Sequence, residues 1–423
     1  MQPDRFFTKS LRDDRIARIL DAALRGVDPG VLVRQALQVA PLPPHKRIFL
    51  LGIGKAAEAM TRSAAETLGS FSAGLVVTKH RVSALPPHIG VMEAGHPVPD
   101  RRSLEAGRAV LRFVSRLRQD DLLISLISGG GSSLVAAPIP GVSLSELESF
   151  TTQALASGAS IEEINAVRRQ VDRIKGGGLV AATRAPILSL ILSDVIGDHL
   201  EAIASGPTAP NPTDASQAIM ILQKYNFRGS PLMARAIAQA PAIPRELPAD
   251  RVMNVIVGNG GLAAHSAAEQ AGSEGIAAEI LETPIQGEAR NAGRALASRL
   301  TRANRQRKPP FCLLAVGETT VTLGRHGKGG RNQELALAAV DILSGENTCM
   351  LIALATDGDD GPTDAAGAVV TGTTRARALE LSMDATEYLE NHNSYPYFDA
   401  LGDLLRPGYT GTNVNDITFL FSL

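Results

Sequence analysis

The chain has no tryptophan, and aromatic residues make up only 4% of its 423 residues. A surface that stacks successive bases needs several aromatic faces, so single-stranded nucleic acid finds little to bind here. An excess of one charge is missing too: 42 Lys and Arg stand against 43 Asp and Glu, a formal net charge of −1. Without a basic excess there is no general attraction to nucleic acid or to an anionic membrane. Cysteine is nearly absent. Cys312 and Cys349 lie in the apolar runs 311–316 and 349–355, where small buried hydrophobes are expected, not a disulfide or a metal pair. No apolar run reaches the roughly 18 residues of a membrane span. The first twenty residues carry charge throughout, unlike a secretory leader. Together these absences point to a reduced, cytoplasmic compartment.

What is present is an ordinary globular composition, 44% apolar and 20% charged, with length for about two domains. Near-continuous apolar runs at 47–52 (RIFLLG), 74–78 (GLVVT), 122–127 (LLISLI) and 187–192 (ILSLIL) read as parallel strands covered on both faces. Helical stretches at 56–68 and 103–117 lie between them, the second with Asp100 as its N-cap. This alternation predicts an α/β fold with a doubly wound, Rossmann-like parallel sheet. Seven prolines between 205 and 250 read as a connector. The strand pattern then restarts at 252–257, 311–316 and 351–355. The expected division is an N-terminal Rossmann-like domain, 1–245, and a smaller C-terminal α/β domain, 246–423.

Both halves open on a strand running into Gly-x-Gly-x-x-Ala: Gly52, Gly54 and Ala57, then Gly258, Gly260 and Ala263. For the second copy an ordinary βα turn is the better reading. The first fails as an NAD fingerprint, because the next strand ends in Lys79, His80 and Arg81 where a ribose-binding acid belongs. Lys55 inside the turn suits a phosphate or carboxylate instead. After LLISLI comes Ser128, Gly129, Gly130, Gly131, Ser132, Ser133. Three glycines leave main-chain amides open to an anion, and the hydroxyls add donors. A Walker A pattern is absent. The segment 165–179 (NAVRRQVDRIKGGGL) reads as a helix with Arg168 and Lys175 on one face, either complementing its C-terminal end or facing a polyphosphate.

Carboxylates follow other strands. Asp194 and Asp198 come after ILSLIL, and Asp357, Asp359, Asp360 and Asp364 after LIALA. At the carboxyl ends of strands such groups suit Mg²⁺ carried on substrate phosphates, and the Asp357 segment lacks the Glu of a calcium loop. Glu318 and Arg331, in the Gly-rich segment 317–334 after another buried strand, are a candidate carboxylate–guanidinium set.

Taken together, GIGKAA, GHPVPD (95–100), SGGGSS, NAVRRQVDRIKGGGL, SDVIGD with IASGPT (203–208), GETT, GKGGRNQE, ATDGDDGPTD and TGTNVNDI (410–417) resemble the glycerate 2-kinase family. That family is named for its C-terminal MOFRL domain and sometimes labelled hydroxypyruvate reductase. The resemblance runs from about residue 15 to the end. It implies two unlike α/β domains with the active site in the cleft between them. It also implies transfer of the γ-phosphate of Mg-ATP to the 2-hydroxyl of D-glycerate, giving 2-phosphoglycerate. Lys55 and Arg331 carry over by motif as catalytic residues.

Around them the expected assignments are Asp194 as a catalytic and metal-binding carboxylate and Asp357 as a metal ligand. Gly52, Gly54, Ser128 to Ser133, Lys175 and Glu318 are expected to bind cofactor. An NADPH-dependent hydroxypyruvate reductase and a non-catalytic sugar-phosphate sensor are the rival readings. Small molecules are the expected partners. A homodimer is compatible with the Ala and Leu content, though nothing marks an interface.

Overall fold

The computed structural model describes residues 3–81, 84–226, 229–241, 246–322 and 327–423. Contacts gather into two units, one of Pro29–Gly258 and one of Met1–Asp28 with Asn259–Leu423.

The first unit is built on six strands: β1 (Arg47–Ile53), β2 (Ala73–Thr78), β3 (Ile89–Glu93), β4 (Asp121–Ile127), β5 (Ile187–Leu192) and β6 (Val252–Gly258). All pair in parallel, in the order β3-β2-β1-β4-β5-β6. This is the Rossmann order, which reverses between β1 and β4. Every residue of β4 and β5 is buried, as their unbroken apolar runs require. At the opposite end of these strands Arg47 faces Asp121 in register and grips both its oxygens at 2.7 and 2.8 Å, pinning β1 to β4. The helix Arg101–Val114 starts at Asp100, which caps it through a box with Ser103.

The second unit holds β7 (Ala277–Ile280), β8 (Phe311–Gly317), β9 (Cys349–Ala355), β10 (Gly367–Thr371), β11 (Leu404–Leu405) and β12 (Asp416–Ser422). Their order is β11-β10-β9-β12-β8-β7, and only β7 and β8 run parallel. Helices Ala289–Gln306 and Arg331–Leu343 touch so closely that a Cβ on Gly293 would lie 2.0 Å from the Leu335 carbonyl oxygen. Cys312 and Cys349 are buried free thiols in β8 and β9.

Three expectations need correcting. The boundary at 245/246 adjoins residues 242–245, which lie outside the described residues, and the contacts divide after β6 instead. Val252–Gly258, expected to open the second domain, pairs with β5 and completes the first sheet. An apolar run announces a strand but not its partner. The stretch 205–250 is also more than a connector. It contains helices Ala215–Tyr225 and Ser230–Gln239, whose Leu222, Met233 and Ile237 join Phe150 in a buried cluster. Pro231 sits in the first turn of its helix, where proline costs no hydrogen bond.

Finally, residues 1–28 belong with the C-terminal half. Helix Asp14–Arg25 packs on helix Gly260–Ser273, with Arg18 bidentate to Glu274 at 2.7 and 2.8 Å. Asp403, wholly buried, accepts from the Ser10 amide and hydroxyl at 2.8 Å and from Arg377 at 2.7 Å. Asp403→Ala should destabilise this unit by about 3 kcal/mol in chemical denaturation, because a mostly buried guanidinium loses its counter-charge. It should also speed proteolysis ahead of helix Asp14–Arg25. An unchanged midpoint would mean that residues 3–10 are held by other contacts.

Candidate active site

The turns after β1 and β4 meet where the strand order reverses. Gly54 has φ +130°, and a Cβ there would lie 2.4 Å from the Ser128 carbonyl oxygen, so only glycine fits. The two turns exchange main-chain bonds. The Lys55 amide donates to the Gly129 carbonyl at 2.9 Å, the Ser128 amide to Ile53 at 2.9 Å, and the Ala56 amide to the Ser128 hydroxyl at 3.0 Å. Gly52 lets helix Ala57–Leu68 approach the sheet, since a Cβ would meet the Thr61 hydroxyl at 2.5 Å.

This bonding leaves a particular set of donors over. Among the described residues, the amides of Gly129, Gly130, Gly131 and Ser132 donate to no acceptor. Gly129 and Gly131 are buried, and orphaned buried amides are rare in native proteins, so this run has the open donors that an anion would need. A Cβ on Gly130 would meet His96 Nε2 at 3.1 Å and Lys55 Cγ at 3.3 Å, so both side chains flank that glycine. The helix that follows, Gly131–Leu134, is a single turn, and its dipole adds little.

Behind the cradle the Ser132 hydroxyl pairs with Ser205 at 2.8 Å, and Ser205 donates to Asn165 at 3.0 Å. Ser205 stands between Ala204 and Gly206 in three successive left-handed residues, φ 50°, 60° and 64°. Two non-glycine residues in that region store strain of about 1 kcal/mol or more each, a frequent mark of a functional turn. Asp194 follows β5 and is half-buried.

Lys175 is placed differently from the expectation. Helix Ile161–Gln170 ends before it, so Lys175 does not share a helical face with Arg168. Its ammonium is buried and bonds Asp172 at 2.7 Å and the Val135 carbonyl at 2.8 Å. It is a strut under the SGGGSS turn, with two of its three donors taken by the protein.

The second unit holds the other expected residues at one end of its sheet. Glu318 follows β8, Asp357 follows β9, and Asp416 opens the antiparallel β12 opposite Gly317 and Ala355. Arg331, first residue of its helix, is bidentate to Asp416 at 2.5 and 2.9 Å and reaches Glu318 at 3.0 Å. Burial pulls its guanidinium down, but Asp416, with help from Glu318 and Asp360, outweighs this and raises it. Its fork is therefore already occupied by protein carboxylates. Asp360 caps the same helix: its oxygens accept from the amides of Asn332 and Gln333 at 3.1 and 2.9 Å. A Cβ on Gly330 would strike that carboxyl at 2.3 Å. Residues 323–326 of the Gly-rich segment lie outside the described residues.

Among the described residues, no three His, Cys, Asp or Glu side chains group as a metal site. Asp194 and Asp357 belong to different units. Sequence reasoning assigned no role to Asp416, Ser205 or His96, although each lies in a quoted motif; what marks them is contact across the chain.

Known proteins agree with these motifs. Residues 15–239 match the family described as a domain of unknown function, DUF4147, and residues 311–416 match the MOFRL family. A D-glycerate 2-kinase from Thermotoga maritima is 41% identical over 405 residues, 94% of this chain and 95% of that protein. The chain belongs to the glycerate 2-kinase family. A second member, the glycerate 2-kinase of Pyrococcus horikoshii, is 37% identical with 95% of each chain covered. The crystal structure of the Thermotoga maritima glycerate kinase superposes with a TM-score of 0.87 at 40% identity, covering 96% of this chain and 98% of that one.

The Asp360 cap makes one pH prediction. Burial, reinforced by Asp416, pushes its carboxyl from 3.8 up to about 6. The folded state thus holds this proton more tightly than the unfolded one. The contribution is complete below about pH 4 and lost as pH rises through about 6. Between about pH 4 and 7 the wild type should lose on the order of 2 kcal/mol relative to Asp360→Asn in denaturant titrations. A pH-independent difference would mean the carboxyl stays ionised throughout.

Proposed function

We propose that this chain is a glycerate 2-kinase that transfers the γ-phosphoryl group of Mg-ATP to the 2-hydroxyl of D-glycerate, giving 2-phosphoglycerate and ADP. The observation that carries the reading is the run of unpaired amides from Gly129 to Ser132 with Lys55 beside it. Phosphoryl transfer asks a protein mainly to position reactants and neutralise equatorial oxygens. The amides suit phosphate oxygens, and the Lys55 ammonium suits the charge on the transferred group.

Mg²⁺ arriving on ATP supplies further neutralisation, and such an ion needs only one or two protein carboxylates. Asp194, half-buried at the carboxyl end of β5, is the candidate in this unit. The hydroxyl oxygen bonds to phosphorus as the bond to the β-phosphate bridging oxygen breaks, and the hydroxyl proton passes to a carboxylate. Arg331, Glu318 and Asp357 enter through the motifs that carry them. No helix among the described residues is long and apolar enough to cross a membrane. A cytoplasmic enzyme acting on small molecules fits that observation.

The reductase reading has one feature in its favour, the Rossmann strand order. Two observations weigh against it. The amides of Lys55 and Ala56, which a pyrophosphate would need, are taken by Gly129 and Ser128. Lys79 follows β2 where a ribose-binding acid would stand.

D-glycerate, ATP and Mg²⁺ coupled through enolase, pyruvate kinase and lactate dehydrogenase should give glycerate-dependent NADH loss that stops when enolase is omitted. Signal surviving without enolase would mean another ester forms. NADPH oxidation by hydroxypyruvate without kinase activity would overturn the reading. Lys55→Ala should lower kcat about 100- to 1,000-fold with an unchanged melting temperature, and near-normal turnover would remove Lys55 from the chemistry.

A further inference from the structure

Besides Lys55, four cations stand out beside the proposed site or in its motifs, and the structure separates them by what they already hold. Lys175 is spent on Asp172 and Val135. Arg331 is spent on Asp416 and Glu318. Arg169 is buried and satisfied three ways, by Asn211 at 2.9 Å, the Glu201 carbonyl at 3.1 Å and Thr213 at 2.7 Å.

Arg168 is the exception. Its one hydrogen bond among the described residues is a long one, 3.4 Å from Nη1 to the Ser132 hydroxyl. The opposite charge that acts on it, Asp172, is already taken up by other donors. Asp172 accepts from Lys175 at 2.7 Å, from the Ala137 amide at 2.8 Å and from the Ile174 amide at 2.9 Å. Burial pulls the Arg168 guanidinium down to about 10, with Asp172 opposing. A half-buried guanidinium that makes one weak bond leaves most of its five donors unspent, and a protein tolerates such a group where an anion binds.

We propose that Arg168 binds the carboxylate of the hydroxy-acid substrate at Ser132, an assignment that rests on the glycerate kinase reading. The phosphate groups have the open amides and Lys55; the other anionic group of the reactants is planar and two-oxygened. A guanidinium fork matches that shape, and a point charge such as lysine does not. The Ser132–Ser205–Asn165 chain fixes the hydroxyl beside which the fork lies. Arg168 thereby selects for a hydroxy acid over a neutral polyol.

The test compares wild type, Arg168→Lys and Arg168→Gln on D-glycerate and on glycerol at high concentration, with ATP varied independently. Loss of a charge-assisted bidentate contact should raise KM for D-glycerate about 10- to 100-fold in Arg168→Gln. KM for ATP should hold within about twofold, and the preference for glycerate over glycerol should collapse. Arg168→Lys, which keeps the charge and spares the fold, should recover only part of the loss. D-glycerate should raise the melting temperature of the wild type and not of Arg168→Gln.

Equal losses on glycerate and glycerol, or a rise confined to KM for ATP, would overturn the assignment. The first would leave Arg168 as a brace for the turn and the second as a phosphate ligand. Wild-type protein without glycerate-dependent turnover would instead sink the kinase reading itself, whereas an active wild type with an unaltered Arg168→Gln sinks only this inference.

Discussion

The first unit depends on how closely the turn after β1 approaches the turn after β4. Gly54 lies against the Ser128 main chain, and the bonds from Lys55 to Gly129 and from Ala56 to Ser128 lock the contact. That lock consumes the amides a dinucleotide would need and leaves open those from Gly129 to Ser132. A sheet with Rossmann strand order thus presents a different set of open donors at the same switch point. The exchange follows from hydrogen-bond accounting, since each amide serves one acceptor well.

The same accounting sorts the charged side chains. Lys175 and Arg169 look equally eligible for a polyanion in sequence, yet their partners make them parts of the scaffold. They hold the floor of the SGGGSS turn and the approach to the left-handed residues 204–206. Such rigidity matters to phosphoryl transfer, where placement supplies much of the rate. The buried struts and the open amides are two parts of one arrangement.

In the second unit the central contact is the bidentate bond from Arg331 to Asp416. It ties the first residue of a helix to the first residue of β12, with Asp360 capping the same helix from another loop. Three segments far apart in sequence therefore depend on one another. Burial, with Asp416 adding to it, raises the Asp360 carboxyl above the usual carboxylate range.

The sequence by itself determined the long apolar strands β1, β2, β4, β5, β6, β8 and β9 and the glycine turns that follow several of them. Unbroken Ile, Leu and Val runs meant buried strands, parallel throughout the first sheet but antiparallel where β9 and β12 pair in the second, and glycines directly after them meant close main-chain approach; burial and approach are local properties, whereas strand direction depends on the partner. Asp100 as an N-cap was legible for the same reason. Tertiary structure alone decided what depends on partners across the chain. It gave β6 to the first sheet, residues 1–28 to the C-terminal half, and the proline-rich stretch to a packed helix pair. It also spent Lys175 and Arg331 on carboxylates and left Arg168 under-bonded. A side chain's charge is written in the sequence, but whether that charge is already neutralised is a matter of distance, and distance is set by the fold.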